Sequence, residues 1–289
     1  MERELWPLLY RILQETAREV RQKYVQHQPW VIAAVLLWAA LHDRPISWAC
    51  ERRHWSTTKL CPLRLPSASA VSRRSRRVAF ELFLNELTQR LRGTELADLL
   101  VVFDGKPLLV GGCSHDPDAR FGRGAGHIGR GYKLHAAWGT RPMPEAWEVT
   151  SLNESEIAVA HRLFGQLPGG YALADANYDA NALFDRAGAC NYQLLANQVD
   201  RNPGTGHHYQ SPYRLRCIAM LQTPFGQALF RRRTDIERQF AHATSFAGGL
   251  TPLPAWVRRH HRVTHWVWAK LAINAVRILK QQRLTSPLQ

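Results

Sequence analysis

Three acidic residues, far apart in the chain, are the side chains best placed to do chemistry. Asp104 follows the apolar run 99–103, Asp175 follows Tyr171-Ala172-Leu173-Ala174, and Glu237 lies in the Arg-rich segment 231–238. Two strand-end aspartates and a helix glutamate can meet only if the strands are sheet neighbours and the helix packs beside them. Carboxylates gathered in that way repel one another unless a cation sits among them, and Mg²⁺ takes oxygen ligands. The chain carries 38 Lys and Arg against 23 Asp and Glu, a net charge of +15 and a pI near 10.2. In so basic a chain the cluster points to metal-assisted cutting or joining of a phosphodiester.

Each acid also has a plainer reading. Asp104-Gly105 stands between two apolar runs, 99–103 and 107–110, and reads equally as a hairpin turn. An Asp that closes a strand often caps the next helix, which suits Asp175. Glu237 can pair with Arg233, four residues earlier on a helix. Asp235 competes with Glu237: residues two apart lie about 200° around a helix, so they do not easily share one site.

The elements that must position these acids follow from patterning. Residues 1–95 read as helical, with Leu5, Leu8, Leu9, Ile12 and Leu13 at helical spacing and a buried apolar helix at 30–41. A further helix is expected from Ser67 or Ser69 through 91, its first turns filled by Arg73, Arg74, Arg76 and Arg77. A short helix, a turn and a basic helix is the shape of a helix-turn-helix DNA reader; a solvated basic face is the plainer alternative. From about 96 strands alternate with helices. Strands are expected at 99–103, 107–110, 131–138, 171–174 and 192–196, and helices from 151 to 167 (opened by the overlapping start patterns Ser151 to Glu154 and Asn153 to Glu156), 180–187, 233–246 and 264–282, with a loop at 199–211. The expected partition is a helical DNA-binding region, 1–95, and a catalytic domain, 96–289, that includes the last helix.

Other signals carry less. Gly124-x-Gly126-x-x-Gly129 precedes a strand, whereas a dinucleotide fingerprint follows one; with Arg120, Arg123 and Arg130 it reads as a mobile basic loop. His260, His261 and His265 sit among arginines that repel a cation, which suits phosphate contact or solvation better than metal. Ser114-His115 lacks an orienting partner. Five cysteines without a CxxC pair fit a reducing interior, and no zinc knuckle is visible. The apolar run at 30–41 is 12 residues, short of the ~20 a membrane helix needs. The charged start Met1-Glu2-Arg3-Glu4 does not read as a signal peptide, so a soluble cytoplasmic chain without membrane contact is expected.

Read together, residues 99–246 resemble the DDE transposases of bacterial insertion sequences. The segment 101–108 is similar to the block carrying their first Asp, 131–135 to the strand that follows, and 174–179, with Asp175-x-x-Tyr178, to the second-Asp block. The segment 233–240 is similar to the third block, in which Arg233 precedes Glu237 by four. The resemblance selects Glu237 over Asp235. It implies an α/β, RNase H-like mixed sheet flanked by helices, and the 62-residue interval from Asp175 to Glu237 implies that a large β-rich insertion is absent. Some relatives carry Tyr three residues before the Arg and a basic residue seven after the Glu; Phe230 and Thr244 stand there instead.

The expected activity is strand cleavage and strand transfer by a DNA transposase, with Asp104, Asp175 and Glu237 holding two Mg²⁺ (or Mn²⁺). Lys133, Arg233 and Arg238 are candidates for phosphate contact and Tyr178 for support of the site; these four are grouped with Arg73, Arg74, Arg76 and Arg77 as DNA-binding candidates. The expected partners are double-stranded DNA, both transposon ends and target, and a second copy of the chain on DNA, in the bacterial nucleoid. An RNase H-like nuclease without strand joining, and a DNA-binding protein descended from a transposase, are the alternatives.

Overall fold

The computed structural model describes residues 2–20, 26–93, 98–111, 115–124, 126–198, 209–234, 237–238, 241, 249–250 and 253–285. The chain divides into two compact units, Met1–Thr94 with Ser245–Gln289, and Glu95–Thr244. The last helix thus belongs with the N-terminal helices, unlike the expected partition that placed it in the catalytic domain.

In the first unit, α1 (Glu2–Glu19), α2 (Pro29–Leu41), α3 (Ile46–Ala49), α4 (Ala68–Arg74) and α5 (Val78–Arg92) are joined by the long terminal helix, His260–Thr285. Helix α2 is apolar all round because it sits at the centre: it buries eleven residues and packs against α1, α5 and the terminal helix. Trp6 meets Trp38 and Trp55 at ring separations of 4.8 and 5.5 Å, and Trp268 donates its indole N–H to Thr88 Oγ1 at 3.0 Å. Ser67 caps α4 by accepting from the Ala70 N–H at 3.2 Å.

The expected single helix through the arginine cluster is broken. α4 stops at Arg74, and Arg77 adopts an extended conformation (φ −91°, ψ 142°) as the N-cap of α5. Within the break the Ser75 hydroxyl donates to the Ser72 carbonyl at 3.4 Å, a local bond that competes with helix continuation. Arg73 and Arg74 end one helix, while Arg76 and Arg77 lie in the turn before the next. None of the four sits within the first turns of α5, as the helix-turn-helix expectation required.

The second unit is built on a six-stranded curled mixed sheet: β1 (Leu100–Leu109), β2 (Arg120–Gly124), β3 (His127–Trp138), β4 (Ala146–Ser151), β5 (Gly170–Ala174) and β6 (Tyr192–Ala196). The order is β2-β3-β1-β5-β6. β4 pairs with the C-terminal part of β3, on the side where β2 pairs with its N-terminal part. β1, β5 and β6 run parallel; the other pairings are antiparallel. Helices α6 (Glu156–Phe164), α7 (Asn181–Ala189), α8 (Pro212–Leu221) and α9 (Pro224–Arg231) flank the sheet. The helix His260–Thr285 is α10 in this count. The second unit has the architecture of an RNase H-like domain, and the N-terminal region is helical, as expected.

Three local expectations change. Segments 99–103 and 107–110 are one strand, so Asp104-Gly105 is not a hairpin turn; both residues pair with β3, opposite Ala136 and His135. The glycine-rich basic segment supplies two paired strands, β2 and the start of β3, rather than a loop. Ser155, not Ser151 or Asn153, caps α6, accepting from the Ala158 N–H at 3.5 Å, and β4 occupies the residues before it. The expected loop at 199–211 and the helix at 233–246 lie largely outside the described residues. Among those residues no helix is long and apolar enough to cross a membrane.

Candidate functional site: a carboxylate cleft

Sheet register explains why Asp104 and Asp175 come together. β5 pairs with β1 only from Leu100↔Tyr171 to Val102↔Leu173. Continued two residues further, that parallel register sets Asp104 beside Asp175, where β5 has ended while β1 runs on along β3. Asp104 is therefore a mid-strand residue at the point where the β1–β5 ladder opens. Asp175 is a strand-end residue that also caps the following 3₁₀ turn, accepting from the Asn177 N–H at 2.9 Å. The capping reading and the cleft position both describe the same side chain.

Both aspartates line one cleft of about 650 Å³ with Gly105, Pro107, Lys133, Glu156 and the β2–β3 hairpin. Burial pushes the Asp104 carboxyl up to about 6; the Gly105 N–H, donating at 2.7 Å, opposes this, and the charges of Glu237, Asp175 and Glu156 add to it. Asp175 is also raised, by burial first, with Glu156 adding to it and the Asn177 N–H and Arg233 opposing. Asp104 thus feels Asp175, Glu237 and a fourth acid, Glu156.

Glu156 was read in the sequence only as part of a helix-start pattern. It occupies the first turn of α6, where a carboxylate suits the helix N-terminus, and projects across Gly105. Its Oε1 accepts from Lys133 Nζ at 2.8 Å. A Cβ on Gly105 would lie 3.0 Å from that oxygen and 3.2 Å from Lys133 Cδ, so a glycine leaves the pair its place. The sequence signal was an acid heading the helix that precedes the second-Asp strand.

The remaining candidates fall in three places. Arg233 pairs with Glu237 at 3.0 Å and lies over the Phe230 ring at 5.7 Å; Arg238 is exposed. Tyr178, grouped with the DNA contacts at the sequence level, is 3% exposed and packs 6.2 Å from Phe103, so it braces the cleft from inside. Burial, with Glu156, Asp104 and Asp175 adding, holds its phenol well above the usual range. In the helical unit, Arg73, Arg76 and Arg77 are exposed; Arg74 donates to the His27 carbonyl at 3.2 Å and Arg76 lies 3.1 Å from His261. Asp235 and Thr244 lie outside the described residues.

The acids near Asp104 are all oxygen donors, the type a hard divalent cation takes, and their mutual repulsion is what such a cation relieves. Among the described residues no three metal-ligating side chains are gathered closely enough to enclose an ion. Lys133 and Arg233 instead pair with Glu156 and Glu237. The donor set fits a divalent metal by chemistry, and Lys133 and Arg233 balance part of its charge.

Comparison with known families agrees with this architecture. The family model described as "Transposase DDE domain" matches residues 96–274, more than half of the chain. No curated protein and no solved structure matches it closely enough to add to this.

Proposed function

The chain belongs to the DDE transposase family, and from that premise we propose that it cleaves and joins DNA strands at the ends of an insertion sequence, acting as a homodimer on duplex DNA. The observation that carries the reading is the cleft shared by Asp104, from a strand, and Asp175, from a strand end; Glu237, from a helical segment, adds its charge at Asp104. These three acids would hold two Mg²⁺ (or Mn²⁺). When bound, the ions make an attacking oxygen more nucleophilic and stabilise the leaving oxygen at phosphorus.

The protein's own part is to position. Lys133 and Arg233, already at the acids, offer cations to the scissile phosphate, and Arg238 offers a third from an exposed position. Tyr178, buried against Phe103, supports the cleft from within. Water attack at phosphorus breaks the bond to a 3′-oxygen and frees a 3′-hydroxyl. Attack by that hydroxyl on a second phosphodiester joins the strand, so one site serves both steps without a covalent protein intermediate.

A supercoiled plasmid bearing marked ends tests this. Metal-dependent nicking followed by integrated products is the expected outcome, and Asp104→Asn should abolish both while leaving DNA binding intact. Nicking without integration would indicate a nuclease, and binding without nicking a transposase-derived DNA-binding protein. Normal cleavage by Asp104→Asn would remove the assignment of the site.

A further inference from the structure

We propose that the β2–β3 hairpin is a DNA-gripping wall of the carboxylate cleft, holding the duplex through Arg123, Phe121 and Ile128. This inference rests on the phosphodiester reading of the cleft and names the surface that delivers its substrate.

The register divides the hairpin into two unlike faces. Phe121 pairs with Arg130, Gly122 with Gly129, and Arg123 with Ile128. Directly paired residues share a face, and faces alternate along a strand. Phe121, Arg123, Ile128 and Arg130 therefore lie on one side, and the glycines on the other. The glycine side is in close contact with its support: a Cβ on Gly122 would come 2.5 Å from the Leu152 carbonyl oxygen, and one on Gly124 2.7 Å from Pro107 Cβ. A bare inner face lets the hairpin lie flush on β1 and on the turn after β4, which fixes the direction of the outer face.

The base is pinned as well. Arg130 Nε donates to the Ala119 carbonyl at 3.0 Å and Nη2 to the Asp116 carbonyl at 2.6 Å, while Tyr132 donates its hydroxyl to Asp116 Oδ2 at 2.7 Å. On this firm support the outer face carries Phe121 at 68% and Ile128 at 72% exposure, with Arg123 exposed on the same face. Singly exposed apolar residues are ordinary, but two on one face of one hairpin, interleaved with arginines, form a built surface. Arg123, His127 and Ile128 line the same cleft as Asp104 and Asp175.

Duplex DNA matches this chemistry. Arginines take phosphates, and apolar side chains beside them pack on sugars or wedge against base steps. A second copy of the chain is the competing occupant, and a net charge of +15 opposes its approach to a basic face.

Binding of the full-length protein to a fluorescently labelled mixed-sequence duplex, in metal-free buffer across a salt series, tests the proposal. Arg123→Ala should weaken binding several-fold at low salt and flatten the log affinity–log salt slope by about 0.9, the change expected for one lost phosphate contact. Phe121→Ser/Ile128→Ser should weaken binding several-fold with the slope unchanged. Arg123→Lys should retain both affinity and slope, which separates lost contacts from misfolding. Wild-type affinity and slope in both the Ala and Ser variants overturn the proposal. So does a Ser variant that turns a dimer into a monomer with unchanged DNA affinity, since the face would then join copies. Hairpin variants that bind normally beside a wild type that nicks leave the cleavage reading standing. A wild type that neither binds nor nicks duplex DNA overturns both.

Discussion

At the scale of single residues, Gly105 shows how closely the cleft is filled. Its missing side chain is the room in which Glu156 and Lys133 pair. Gly105→Ala should displace that pair by tenths of an ångström and lower metal-dependent cleavage roughly 10- to 100-fold, the usual scale for a misplaced positioning group. DNA affinity should stay within about twofold, because Lys133 is one cation among many; an equal fall in affinity and cleavage in parallel assays would contradict this. Asp104, Asp175 and Glu237 were legible in the sequence because apolar runs and an arginine-rich segment framed them. Glu156 was not, since an acid at a helix start has an ordinary capping role and only the curl of the sheet brings α6 over β1.

At the scale of elements, the strands with strong β-branched or aliphatic character were readable, and β6 was expected with its observed bounds. β2 was not, because Arg-Phe-Gly-Arg-Gly has the composition of a turn and becomes a strand only through its ladder with β3. The α4–α5 break was hidden for the opposite reason: nothing there forbids a helix, and a serine hydroxyl tips a close balance. Helix α10 offers a pH test. Burial, with His261 adding to it, pulls the His265 imidazole down to about 4 from 6.5, and its ring meets Phe80 edge-on at 5.5 Å. The folded state therefore favours the neutral ring. Its contribution to stability is complete above about pH 6.5 and is lost as pH falls toward 4, by on the order of 3 kcal/mol. Denaturant midpoints across that window should show the fall, and His265→Leu should flatten it; a variant as acid-sensitive as wild type would exclude His265 as the cause.

At the scale of the whole molecule, the helical unit is discontinuous in sequence, joining Met1–Thr94 to Ser245–Gln289. Patterning along the chain could not reveal this, because the apolar face of α10 looks the same whichever unit receives it. Helix α10 buries Val267, Trp268, Leu271, Ala272, Ala275 and Val276 and packs against α1, α2 and α5. A chain ending before His260 should lose far more helical circular dichroism than its 26 missing helical residues account for, and should bind a hydrophobic dye; a loss proportional to length would show that the first five helices stand alone.

The same discontinuity sets a timetable for the ribosome. Helix α2, buried on eleven of its residues in the finished fold, ends 244 residues before α10 is complete (285 − 41). At about 5–20 residues per second its apolar surface waits roughly 10–50 s for the helix that covers it, while the sheet of the second unit is already emerging. Through that interval the nascent chain is a client for chaperones at its first helices, and its earliest residues are among the last to reach their final packing.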